Sequence, residues 1–211
     1  MVTISLCMIV KNEEAVLGRC LESVRAVVDE IIVADTGSTD KTKAVAAAFG
    51  SQVYDFSWQD DFAAARNFSF SKANMDYCMW LDADDVMDPV QLERLAEWKR
   101  QADGSADAVM LRYVAGFDEE GQPAFCYYRE RLLKRTGSFL WKGRVHEAIA
   151  VSGKIEYLDI GVEHRSQKKE YSRRNLQIYE RMLAEGVQFE PRDGFYYARE
   201  LYYHRQYREA V

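Results

Sequence analysis

Apolar and polar positions follow two rhythms in turn along the first half of the chain. "TISLCMIV" (3–10) is a continuous apolar run of strand length. In "EEAVLGRCLESVRAV" the apolar residues Val16, Leu17, Cys20, Leu21 and Val24 recur at helical spacing. "EIIVAD" (30–35) reads as a second strand, and "KTKAVAAAF" as a helix stopped by Gly50. "SQVYDF" (51–56) reads as a third strand, "DDFAAARNFSFSKA" (60–73) as a helix and "YCMWLD" (77–82) as a fourth strand. Strand and helix in this order predict crossover units and a parallel sheet. Nearly unbroken apolar strands predict burial on both faces.

The pattern changes after this point. "MDPVQLERLAEWKRQ" is one more helix, and "AVMLRYVAGF" and "AFCYYRERLLK" are strands around the turn "DEEGQP". "SFLWKGRVHEAI" is irregular and rich in polar groups, and "KIEYLDIGVEH" is strand-like again. From Lys168 the chain reads as helical, first "EYSRRNLQIYERMLAEG" and then "DGFYYARELYYHRQYREAV". Tyr197, Ala198, Leu201 and Tyr202 have helical spacing, and "RQYREAV" reads as the start of another helix. This segment resembles the opening of a tetratricopeptide repeat. One repeat cannot bury its own face, so the chain is expected to continue past Val211 and to meet a protein partner through those repeats. The alternative is an ordinary helical cap. Two parts are expected, residues 1–166 and a helical extension over 167–211.

Composition narrows the function. The 211 residues are 48% hydrophobic, which suits a globular domain, and carry a net charge of −6. That balance gives no basic footprint for nucleic acid. No apolar run approaches the roughly 18 residues of a membrane helix. "MVTISLCMIVKNEE" lacks the features of a signal peptide and reads as a strand, so a cytoplasmic location is expected. Cys7, Cys20, Cys78 and Cys126 form no CxxC pair, and buried free thiols are expected.

The polar residues gather where the strands end: "KNEE" after the first, "DTGSTD" after the second and "DADD" after the fourth. In open parallel sheets ligands bind beyond those ends. If the fourth strand runs on, Asp82 and Asp84 point the same way and repel each other. A divalent cation or a set of hydroxyl donors would compensate; oxygen-rich ligation suits Mg²⁺ or Mn²⁺, and these ions usually also hold phosphates. A solvated acidic loop is the other reading.

"CMIVKNEE", "IIVADTGSTDKT" and "WLDADD", in this order, together resemble the family 2 glycosyltransferases. "SWQDDFAAARNFS" and "RLLKRTGSFLWKGRVHEAI" sharpen the likeness toward a subgroup of bacterial cell-surface glucosyltransferases and of peptide glycosyltransferases with tetratricopeptide repeats. The resemblance covers about residues 1–165. It implies a GT-A fold, a Rossmann-like, mostly parallel α/β sheet flanked by helices. It also implies a UDP-sugar donor, a Mn²⁺ or Mg²⁺ ion, inversion at the sugar, and a peptide, saccharide or lipid-linked acceptor.

Residue by residue, the resemblance implies that Asp84 coordinates the metal and that Asp82, with Ala83 between them, binds the ribose or the metal through water. Ile9, Val10 and Glu13 are expected to cradle uracil. Asp35 is expected to contact the base or ribose, although it is followed by Thr36 where many relatives have a second acid. Asp40 is either a nucleotide contact or a helix cap. Arg66 pairs with the "DADD" carboxylates or with diphosphate. Glu147 is the favoured catalytic base and His146 the alternative, as base or as metal ligand. His164 is the favoured third ligand. Trp141 and Tyr128 are candidate sugar platforms, and Arg131, Lys134 and Arg144 candidate contacts for phosphate or acceptor charge. The competing function is a degenerate transferase domain that acts as an interaction module. A nucleotidyltransferase is disfavoured because "MIVKNEE" lacks a glycine-rich loop.

Overall fold

A computed structural model describes residues 1–167 and 172–210. The first crossover unit joins β1 (Ile4–Val10), α1 (Leu17–Val24) and β2 (Glu30–Asp35). The second adds α2 (Thr42–Ala48) and β3 (Gln52–Asp55). The chain then returns through α3 (Phe62–Phe70) to β4 (Tyr77–Trp80) on the other side of β1. β2 and β4 both pair with β1 in parallel, which makes the gap between β1 and β4 the place where the winding reverses.

β1 and β2 are buried on both faces, as their apolar runs predict. α1 buries Leu17, Cys20, Leu21 and Val24, the stripe expected from their spacing, but it is shorter than the periodic segment. α3 starts at a cap in which Asp61 accepts from the Ala64 amide at 2.8 Å. Its first residue also donates from the Phe62 amide to the Arg144 carbonyl at 2.9 Å, which ties the helix to a distant loop.

The second half completes the sheet. β5 (Asp85–Val86) is followed by α4 (Pro89–Gln101), whose cap Asp88 accepts from the Val90 and Gln91 amides. β6 (Ala108–Phe117) and β7 (Pro123–Lys134) form the expected antiparallel hairpin. The segment read as irregular contains a small ribbon, β8 (Trp141–Lys142) paired with β9 (Ala148–Ile149). β10 (Ile155–His164) pairs in parallel with β6. The eight-stranded order is β3-β2-β1-β4-β7-β6-β10-β5.

Two points differ from the sequence pattern. The fourth strand ends at Trp80, so Asp82 and Asp84 lie in the turn beyond it rather than on one strand face. β5, only two residues long, carries no periodicity to read, yet its antiparallel pairing sets Asp85 opposite His164.

The C-terminal helices are α5 (Arg174–Ala184) and α6 (Pro191–Tyr203). The predicted start of α5 at residues 170–171 lies outside the described residues. Of the segment 205–211, read as the start of a further helix, residues 205–210 are turn and irregular chain, and Val211 lies outside the described residues. α5 and α6 are not set apart from the sheet domain. Ile178, Tyr179 and Met182 form one apolar cluster with Val145, against which Trp58, Phe62, Phe189, Tyr196 and Tyr197 pack. Among the described residues no helix is long and apolar enough to cross a membrane. Cys7, Cys20 and Cys78 are buried free thiols as expected, but Cys126 is exposed because its end of β7 projects beyond β4.

Candidate active site

A cleft of about 300 Å³ opens at the carboxyl ends of β1 and β4. Ile9, Val10, Glu13, Arg66, Asp82, Ala83, Asp84, His146 and Glu147 line it. Nine of the residues singled out from sequence therefore share one cavity. Asp35 and His164 stand outside its lining.

On the β1–β2 side, the Thr36 amide donates to the Val10 carbonyl at 2.9 Å and joins the two strand ends. Asn12 takes a left-handed φ of 55°, and its side-chain oxygen accepts from the Thr39 amide at 2.8 Å. Asp35 is 1% exposed. Its Oδ1 accepts from the Gly37 and Ser38 amides at 3.0 and 2.8 Å, while Oδ2 has no hydrogen-bond partner among the described residues. A buried carboxylate oxygen left in this state is costly, and a ligand N–H or O–H would relieve it. Asp40 does structural work: it accepts from the Thr42 amide at 2.9 Å and the Glu14 amide at 3.2 Å. These bonds hold its carboxyl below the usual range against the opposing effect of burial.

Arg66 is the hub of the other side. It is 6% exposed and lies between two indoles, 4.7 Å from the ring centre of Trp80 and 4.9 Å from that of Trp141. Nη2 donates to Asp82 Oδ1 at 2.8 Å and Nε to Glu147 Oε1 at 2.6 Å. One guanidinium thus joins the first acid of "DADD" to the acid of "VHE". The two carboxylates push the Arg66 pKa up despite burial, so it stays charged. Burial alone would raise the Asp82 carboxyl, but Arg66 and Arg131 outweigh it and hold the group down at about 2.

His146 turns away from this pair. It has a left-handed φ of 51°, stacks on Tyr196 with ring centres 4.1 Å apart, and bonds through Nε2 to Glu200 Oε1 at 3.1 Å. Arg192 of α6 donates to its carbonyl at 3.0 Å. A left-handed residue that is not glycine costs energy and persists only where its surroundings over-determine it. Here those surroundings come from α6, so the loop that carries Glu147 is held by the helical extension.

His164 stands with the acids instead. Its Nδ1 is 3.5 Å from Asp84 Oδ1 and 3.4 Å from Asp85 Oδ1. Asp84, Asp85 and His164 are a group whose ligand atoms all lie within 4.8 Å of one another. Mixed oxygen and imidazole donors suit Mn²⁺. The bond to Asp85 raises the pKa of His164, with burial opposing and the Asp84 charge assisting. Asp85 itself is fully buried and paired with Arg131, Nη2 to Oδ2, at 3.0 Å.

Several expected ligand contacts have other duties. Arg131 is buried beside Asp85 and stacks on Trp80 at 3.9 Å, so it meets no phosphate. Lys134 donates to the Gly104 carbonyl at 2.7 Å, and Arg144 pairs with Glu185 at 2.7 Å. Trp141 is buried against Arg66 and Trp80, and Tyr128 packs on Tyr157 outside the cleft, so neither offers a sugar platform there. The aromatic residues on the cleft wall are Trp58 and Phe62, which sequence reasoning missed, as it missed Arg174 and Asn175. The signal for the aromatic pair was local, since "SWQDDF" places both beside the Asp61 cap.

Residues 5–153 match the family model described as Glycosyl transferase family 2. A TPR repeat-containing protein of Synechococcus elongatus is 46% identical over 149 residues, 71% of this chain and 36% of that protein. The SPbeta prophage-derived glycosyltransferase SunS of Bacillus subtilis is 27% identical over 226 aligned positions, 99% of this chain and 51% of that protein. The chain thus spans about a third to a half of the length of these two relatives. Glucosyl-3-phosphoglycerate synthase of Mycobacterium tuberculosis, solved with Mn²⁺, UDP and glucosyl-3-phosphoglycerate, shares the fold. Its TM-score is 0.54 at 18% identity, over 90% of this chain and 82% of that one.

Proposed function

Because the chain belongs to glycosyl transferase family 2, we propose that it is a glycosyltransferase that moves a sugar, with inversion, from a UDP-sugar to a peptide, saccharide or lipid-linked acceptor. The observation that carries this reading is the Arg66 bridge. It holds Asp82, on the side of the diphosphate, and Glu147, a carboxylate base, on one cleft.

In this reading Ile9, Val10 and Glu13 receive the uracil and ribose, and Asp35 Oδ2 accepts a hydrogen bond from the base. Asp84 and His164 would hold Mn²⁺ or Mg²⁺, whose charge would neutralise the leaving diphosphate. Asp82 and Ala83 line the donor path. Glu147 commits Oε1 to Arg66 and keeps Oε2 for the acceptor. The acceptor nucleophile gives its proton to Oε2 while it attacks the sugar's anomeric carbon from the face opposite the diphosphate. The bond to the diphosphate oxygen breaks as the new bond forms. His146 holds the Glu147 loop in place and takes no part in the proton transfer. The relative with tetratricopeptide repeats, together with the α5–α6 pair, supports the reading of 167–211 as the start of such a region.

The test is thermal stabilisation by UDP with and without Mn²⁺. The wild type is expected to gain stability from UDP only when Mn²⁺ is present, and Asp84→Asn to lose that gain. An interaction module with no donor site would respond to neither.

A further inference from the structure

Within the UDP-sugar reading, we propose that Arg174, the first residue of α5, binds a phosphoryl oxygen of the nucleotide diphosphate directly. The helical extension then completes the donor site. Arg174 lies beyond residue 153, where the family match ends. It nevertheless lines the same cleft as Glu13, Asp82 and Glu147.

Its guanidinium rests on Phe62, with the carbon 4.6 Å from the ring centre. Among the described residues no carboxylate stands within ion-pair distance of it. The other arginines that anchor the extension are engaged: Arg144 with Glu185 at 2.7 Å, Arg181 with Asp60 at 2.9 Å, and Arg192 with the His146 carbonyl at 3.0 Å. Arg174 therefore offers a whole set of donors to the cavity. The residue as a whole is exposed, yet the protein around the guanidinium lowers its pKa by excluding water, with Glu13, Glu147 and Asp82 opposing. A cation placed among three acids without pairing to any is suited to an anionic ligand that enters between them.

A second unused donor points to the same ligand. Arg66 lines the same cleft, and its Nη1 is buried with no hydrogen-bond partner among the described residues. The two arginines come from different elements, one from α3 beside the "DADD" turn and one from the extension. The Asp84–His164 group adds a place for a cation. A diphosphate, with charge spread over several oxygens, fits this set better than a neutral sugar does.

Calorimetry on the whole chain with saturating Mn²⁺ tests the proposal, with UDP and uridine as probes. Arg174→Ala is expected to weaken UDP binding by about ten- to a hundredfold and to leave uridine within about twofold. Arg174→Lys is expected to restore part of the loss. Unchanged UDP affinity in Arg174→Ala would overturn the proposal and leave the UDP-sugar reading intact. If acceptor KM rose in the same variant, the arginine would belong to the acceptor. Equal losses for UDP and uridine would also overturn it, because they mark a deformed cleft. A wild type that binds neither probe would sink the UDP-sugar reading and this proposal with it.

Discussion

The two sides of the cleft are assembled on different scales. Ile9, Val10 and Glu13 lie at the end of a single strand, and Thr36 at the end of its immediate neighbour. The other side draws Arg66 from α3, Glu147 from the loop before β9, and Arg174 from α5. The first side follows from local turn chemistry. The second exists only once the whole chain has folded, and long-range pairs hold it, such as Arg66 with Glu147 and His146 with Glu200. Changes on the assembled side are therefore expected to cost more.

Glu147→Gln should break the contrast most sharply. Loss of the proposed base is expected to lower transfer by about 10²- to 10⁴-fold while UDP binding stays near that of the wild type. Transfer rates and UDP titration together check this, and lost UDP binding would move Glu147 to the donor side. Arg66→Ala removes the cation shared by two acids and two indoles. It leaves a nearly buried Glu147 unpaired and is expected to cost about 3–5 kcal/mol of stability, measured by denaturant unfolding. Tyr196→Ala should loosen the His146 turn from a distance. About 1 kcal/mol of stability is expected to go, with transfer reduced more than UDP affinity. An equal reduction of both would mean that α6 supports the whole cleft rather than the Glu147 loop.

The smallest effect is one of pH. Asp82 has a folded pKa of about 2, below its ordinary value of about 3.9. Its contribution to stability is therefore complete above about pH 4 and is lost as pH falls toward 2. Asp82 is partly exposed, so solvent screens the pair and the effect is modest. Asp82→Asn should flatten that part of the stability profile. An unchanged slope would assign the acid sensitivity to other carboxylates.

The same contrast explains what was legible. The β1–α1–β2–α2–β3 order could be read because each element carries its own periodicity, and the strand ends could be read because Asp35 and "DADD" sit next to apolar runs. The resemblance supplied roles for residues that the spacing alone left open. What escaped reading has a physical reason in each case. β5 is too short to show a period. Asp85 looks like its partly exposed neighbours Asp82 and Asp84, and only its full burial beside Arg131 separates them. Arg131, Lys134 and Arg144 look like ligand contacts because a basic residue does not reveal which carbonyl or carboxylate it will meet. Arg174 follows a stretch with no apolar anchor, and only packing of α5 onto Val145 brings it to the cleft.

The setting of Arg66 between Trp80 and Trp141 has an optical consequence. An indole's emission depends on the charge beside it, and here one guanidinium faces two of the chain's four tryptophans. A third, Trp58, lies on the cleft wall. A ligand that draws on the charge of Arg66 changes the field across both buried rings at once. The protein thus carries an intrinsic fluorescent reporter of any ligand that engages Arg66, with no dye or label.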